Sequence, residues 1–267
     1  MSKSEELMNI TSKVVSMVFV FLLTAIPALG QDVAGTYVGF KGGVSIPQLS
    51  GGEDNELSRD YRSRVAPNFG VFFDLGITDR FSVQPEVNFA GQGGKREGIQ
   101  PVTQDLPGLP TLPPGNFYYA DFDNTAELNY LEIPVLAKYR FRDRDKPRFY
   151  VNGGVFYGRL LSAKQKTEGS STLYLDPDGT IPVLLPPNGD PLPPLPFDAT
   201  TDVADDLNKN NFGFTGGGGV EMPFGRNYLL FDARVSRGVL DLQKDPANGN
   251  SKTGNVIIAI GWAFGVK

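Results

Sequence analysis

The chain has 267 residues, with 32 glycines, 21 prolines, no histidine and no cysteine, and a formal charge of -5 at pH 7. The acidic balance speaks against a nucleic-acid partner, which wants a basic face. The missing Cys and His exclude a disulfide framework, thiolate and imidazole metal sites, and any Ser-His or Cys-His nucleophile pair. Gly and Pro are too frequent for two compact cores and fit one domain with long loops.

The first element is apolar. Val14 to Leu29 reads VVSMVFVFLLTAIPAL after Lys3 and Lys13, which predicts a secretory signal peptide over residues 1-30, cut after Gly30. Its core of about 15 residues is short for a membrane-spanning helix, which needs ~20. The alternative is an uncleaved anchor, and Ile26-Pro27 breaks the helix where an anchor would continue.

Strands follow. Apolar and polar residues alternate through Phe81, Val83, Pro85, Val87 and Phe89 against Ser82, Gln84, Glu86, Asn88 and Ala90, the mark of a strand with one greasy and one polar face. The pattern predicts about eight strands: Tyr37 to Ile46, Asn68 to Leu75, Phe81 to Ala90, Ala126 to Phe141, Phe149 to Leu161, Phe212 to Glu221, Tyr228 to Val239 and Val256 to Val266. Short connections (Gly76 to Arg80, Arg142 to Arg148, Met222 to Asn227) alternate with long ones (47-67, 91-125, 162-211, 240-255). All long loops thus fall at one end of an up-and-down meander. That asymmetry predicts an all-β fold over residues 31-267, an antiparallel transmembrane β-barrel of about eight strands and of the OmpA/OmpX type.

A barrel in a membrane needs a lipid face and a lumenal face. Phe81, Val83, Val87, Phe89, Leu131, Ile133, Val135, Tyr139, Ile258, Ile260, Trp262 and Phe264 are assigned to lipid, with aromatics near strand ends as interfacial girdles. Glu86, Glu132, Lys138, Arg140, Glu221, Asp232 and Arg234 fall on the opposite faces. A charge turned to lipid costs ~2 to 4 kcal/mol near the midplane, so they are expected inside, pairing to offset their desolvation. The alternative use of such charges is a proton or ion path. Gly42, Gly43, Gly153, Gly154 and Gly216 to Gly219 are expected to serve close packing in a narrow lumen.

Two loops are rich in proline, Pro101 to Gly115 and Asp176 to Pro196. Their apolar residues, including Leu106, Leu109, Leu112, Ile181, Val183, Leu184, Leu185, Leu192, Leu195 and Phe197, either fold over the barrel mouth or form a contact surface. Asp176-Pro-Asp178-Gly179, Asp121-Phe-Asp123-Asn124 and Asp202 with Asp205 and Asp206 lack the full spacing of a calcium loop and read as ordinary turns. No metal, cofactor or catalytic residue is expected.

The segment ELNYLEIPVLAKYRF, Glu127 to Phe141, resembles the PorT-like outer-membrane β-barrel proteins abundant in Bacteroidetes, also described as porin-family proteins. The resemblance extends through GFKGGVSIPQLS from Gly39, FGVFFDLGITDRFSVQPEVNFAGQGGK from Phe69, NGGVFYGRLLSAK from Asn152 and FDARVSRGVLDL from Phe231. It implies a barrel of roughly eight strands in the cell outer membrane and supplies no catalytic residue. The expected function is a non-enzymatic structural or surface-interaction role through the extracellular loops. The expected partners are outer-membrane lipid and an extracellular or envelope protein, for a monomeric chain. Alternatives are a component of an envelope secretion apparatus, a small passive porin, and a soluble periplasmic ligand-binding barrel. A porin is disfavoured because wide channels need about 16 strands. A soluble barrel would need a hollow apolar interior.

Overall fold

In the computed structural model the described residues are 35–104, 106–113, 115–141, 146–185 and 189–266. The export signal expected before Gln31 and turn residues 142–145 lie outside them. Eight long strands dominate: β1 Thr36–Ser50, β2 Ala66–Gly76, β3 Phe81–Arg96, β4 Asp123–Arg140, β5 Arg148–Glu168, β6 Asn210–Phe224, β7 Asn227–Gly238 and β8 Lys252–Val266. Each pairs antiparallel with the next in sequence, and β8 returns to β1 with Thr36 opposite Val266 and Ser50 opposite Lys252. The sheet is therefore a closed eight-stranded up-and-down barrel with no open edge.

Proline inside β3 and β4 is accommodated by a local break in the ladder. Proline lacks the N–H that a ladder needs and is normally confined to sheet edges. Here Pro85 still faces Val135, but register pairing is interrupted where Glu86 and Val87 pass Ile133 and Pro134. The ladder continues above and below the gap, so its loss stays local.

The strands run further than alternation alone predicts. β3 continues to Arg96, β4 starts at Asp123 and β5 reaches Glu168, with Arg96 opposite Asn124 and Asp123 opposite Glu168. Membrane strands need only about 9 to 11 residues, so these three rise together beyond the span at the long-loop end. The alternation fades there because neither face meets lipid. The long connections shorten accordingly to 51–65, 97–122, 169–209 and 239–251.

Burial alternates along most of the membrane-spanning wall. Val135, Tyr139, Ile258, Ile260 and Phe264 are exposed outward, and Phe81, Val83, Val87, Phe89, Leu131, Ile133 and Trp262 are partly exposed on the same surface. Tyr139, Phe141, Phe149, Phe224, Trp262 and Phe264 ring the short-turn end. Phe69, Phe89, Tyr157, Phe212 and Phe214 lie toward the long loops. The band between these aromatic rings is mainly aliphatic, with Phe231 exposed among it opposite Ile260, as a bilayer requires an apolar wall.

The glycines divide by parity. Gly39 and Gly219 face inward and are space-makers: a Cβ on Gly39 would lie 2.4 Å from the Phe72 ring, and one on Gly219 would lie 2.6 Å from the Tyr150 hydroxyl. Gly42, Gly153, Gly216 and Gly218 instead alternate with inward residues and fall on the outer surface, which corrects the expectation that the whole set packs the lumen. The reason is the two-residue period, which sends consecutive glycines to opposite faces.

Candidate functional site

The lumen is filled by two linked charge clusters. Toward the short-turn end, β2, β4, β5 and β6 bring together Asp74, Lys138, Arg140, Arg148 and Glu221. Glu221 lies 2.5 Å from Lys138 Nζ, 2.9 Å from Arg140 Nε and 2.5 Å from Arg148 Nε. Asp74 accepts from Lys138 at 3.2 Å, from the Tyr228 hydroxyl at 3.0 Å, and from Arg140. Arg140 also donates to Ser82 at 2.8 Å, and the Lys138 ammonium sits 4.2 Å from the Tyr150 ring centre.

The second cluster lies above it. Glu86 accepts from Lys41 at 2.7 Å, Arg234 at 3.0 Å, Gln84 at 2.6 Å and Asn88 at 2.8 Å. Asp232 pairs with Arg234 at 2.6 Å and accepts from the Tyr150 hydroxyl at 2.5 Å. Tyr150 and Lys138 thereby join the clusters, since Lys138 also donates to Gln84 at 3.0 Å. All these ionic side chains are at most 4 % exposed. So narrow a lumen holds side chains rather than a water column, and opposite charge is what makes burial affordable here.

Of the seven lumenal residues read from the sequence, the structure joins Glu86, Lys138, Arg140, Glu221, Asp232 and Arg234 into this one network. Glu132 stands apart: it is buried, accepts from Gln92 at 2.8 Å, and has no ion-pair partner among the described residues. The sequence reading missed Lys41, Asp74, Arg148, Tyr150 and Tyr228. Parity could have found Lys41 and Asp74, which share the inward phase with Gly39 and Phe72.

Nearer the mouth the lining turns apolar. Leu128, Tyr130, Leu160 and Ala163 from β4 and β5 pack with Leu207 and Leu242, which descend from the third and fourth long loops. Above this stopper the loops build a core of their own. Val102, Ala120, Phe122, Leu173 and Phe197 are buried together, with Leu106, Leu109, Val183, Leu192 and Leu195 packed against them. The Phe122 and Phe197 rings stack at 4.9 Å.

This loop core rests on strand pairing outside the barrel. Ile99–Pro101 pairs with Tyr119–Asp121, Tyr119 bridges to Tyr174, and Leu184–Leu185 pairs with Asp190–Pro191. Leu175, Ile181, Leu184 and Leu185 remain exposed on it. Asp176 accepts from the Thr180 and Ile181 amides at 3.0 and 2.6 Å, closing its own turn, and Asp205 pairs with Lys209 at 2.9 Å.

A hydroxyl helps tie the first loop to the second: Tyr119 donates to Glu56 at 2.6 Å. Burial, and then that carboxylate, push the Tyr119 hydroxyl up to about 12. A raised acid keeps its stabilisation below the ordinary value of 10.0 and loses it as pH rises through about 12. Tyr119→Phe is expected to remove about 1.5 kcal/mol from loop docking, seen as faster proteolysis of residues 51–65 with the barrel intact. Unchanged cleavage rates would rule out the tether.

A family model described as "Outer membrane protein beta-barrel domain" matches residues 31–244. No curated protein matches the chain. Similar solved structures include Neisserial surface protein A, NspA, at 11% identity and TM-score 0.41, covering 86% of this chain and 97% of that one. The outer membrane protein OprG of Pseudomonas aeruginosa is 13% identical with TM-score 0.41, covering 88% and 98%. Ail, the attachment invasion locus protein of Yersinia pestis, solved in complex with the heparin analogue sucrose octasulfate, is 12% identical with TM-score 0.37, covering 87% and 100%.

Proposed function

This chain belongs to the outer membrane protein β-barrel domain family, and from that premise we propose that it works at the cell surface through its long loops, without catalysing a reaction and without conducting solutes. The stretch before Gln31 acts as its cleaved export signal, and the partners are outer-membrane lipid around the wall and an extracellular or envelope protein at the loops.

The observation that carries this reading is the loop core around Phe122 and Phe197. Mobile connections need no buried aromatics of their own, whereas a surface held in one shape for recognition does. The exposed Leu175, Ile181, Leu184 and Leu185 give that surface an apolar contact patch. The ion-pair network and the Leu207–Leu242 stopper support a sealed lumen. The charged interior also weighs against a soluble carrier, whose cavity would be apolar.

A second reading, a part in envelope protein secretion, is favoured by the Tyr130-Leu131-Glu132-Ile133-Pro134 segment that resembles PorT-like proteins of Bacteroidetes. One experiment separates the two. A strain lacking the chain is complemented either with the full chain or with a version shortened over residues 176–196, and surface crosslinks and export of other proteins are read together. The surface reading expects normal export in every strain and loss of loop crosslinks with the shortened version. Export that fails in the deletion strain and returns with the shortened chain would instead favour secretion.

A further inference from the structure

The short-turn end carries a cleft of ≈ 140 Å³, walled by Tyr37, Arg148, Glu221, Pro223, Asn227 and Tyr228. In outer-membrane barrels this end faces the periplasm. The cleft lies against the lower charge cluster, and that cluster does not balance. Among the described residues Lys138, Arg140 and Arg148 share only Asp74 and Glu221.

The acid that would restore neutrality is too distant. Glu132, the lumenal carboxylate without an ion pair, is on β4 six positions from Lys138, about 20 Å along a strand. Among the described residues one buried positive charge is thus left over beside an opening. Arg148 is the cation that borders this opening: it lines the cleft, its Nε is held by Glu221, its buried Nη1 has no hydrogen-bond partner, and its side chain is 4 % exposed. Burying an uncompensated guanidinium is costly, and an anion in the cleft would lower that cost.

We propose that this cleft binds a monocarboxylate from the periplasmic side, with Arg148 as its anchor. A single negative charge matches the single excess, where a doubly charged phosphate would overshoot it. Planar bidentate recognition of carboxylate is what a guanidinium does best. The edge-to-face rings of Tyr37 and Tyr228, 4.8 Å apart, form an aromatic wall for a short aliphatic body. Both a free small acid and the terminal carboxylate of a peptide present this chemistry. The inference is independent of the loop reading, because the cleft lies at the opposite end of the barrel.

The test uses the full folded barrel in detergent micelles, titrated at constant ionic strength with acetate, with acetyl-Ala-Ala and with its C-terminal amide, while NMR follows the Arg148 Nε–H signal. Saturable shifts with both carboxylates and none with the amide are expected. Tighter binding of the peptide identifies a peptide terminus as the ligand, and equal binding identifies a free acid. Arg148→Lys keeps the charge facing Glu221 and should weaken binding about tenfold by losing the planar fork. Pro223→Phe blocks the rim without touching the charges and should abolish binding, which keeps the test decisive if the first variant does not fold. Linear, unsaturated shifts in the unaltered protein, or an unchanged affinity in a folded variant, would overturn the proposal.

Discussion

Replacing Glu221 with alanine should cost the barrel about 3–5 kcal/mol, the usual result of stripping one partner from a buried ion pair. Glu221 neutralises Lys138, Arg140 and Arg148 at once. Without it Lys138 and Arg140 keep only Asp74 and Arg148 keeps no ion-pair partner among the described residues, in a lumen with little room for water to solvate them. Glu221→Gln, which keeps an acceptor oxygen but no charge, should fall between alanine and the native residue. The Lys166–Glu127 pair provides the control: both side chains are partly solvated above the span, so Glu127→Ala should cost less than about 1 kcal/mol. Unfolding by urea in lipid vesicles can be followed through Trp262, the one tryptophan of the chain. Equal costs for Glu221→Ala and Glu127→Ala would mean that the lumen is hydrated and the network is not what holds it shut.

An arginine in place of Ile258 should destabilise the folded barrel by about 2–4 kcal/mol, provided the wall faces lipid. Ile258 is 54 % exposed near the middle of β8. In a soluble barrel, an exposed isoleucine turned to arginine would change stability by no more than about 0.5 kcal/mol. The same substitution thus has opposite expectations under the two readings of one alternating pattern. If the variant refolds in vesicles with native stability, the outward surface is not a hydrocarbon-facing one.

Those two residues also show what was legible in the sequence. A strand with a two-residue period announces its faces, so Glu221 and Ile258 could be assigned to opposite sides from their parity. The alternation of long and short connections then fixed the meander and its closure. Lys41 was passed over because Gly39 and Gly43 flank it and weaken the contrast between faces, so that only its parity marks it as inward. Asp74 falls inside the predicted second strand but was not carried into the lumenal set, whereas Arg148 opens β5 within residues that look like a turn and was read as part of a connection.

The loops were the least legible part, for a physical reason. Proline removes donors and breaks periodicity, so no repeat marks which apolar residues are buried. Phe122 and Phe197 meet where Phe197 is held beside the upper end of β5, its carbonyl accepting from Thr167 Oγ1 at 2.5 Å and its amide donating to the Gly169 carbonyl at 2.8 Å. Contacts between residues so far apart in sequence are set by the finished barrel and leave no local signature.

The measurement that tests the account most directly is heat modifiability of the full chain recovered from the outer-membrane fraction, comparing boiled with unboiled samples on a denaturing gel. A closed barrel in the outer membrane should sediment with that fraction and migrate differently before boiling, because the intact wall resists detergent until heat opens it. Recovery as a soluble periplasmic protein, with no difference between the two samples, would contradict it.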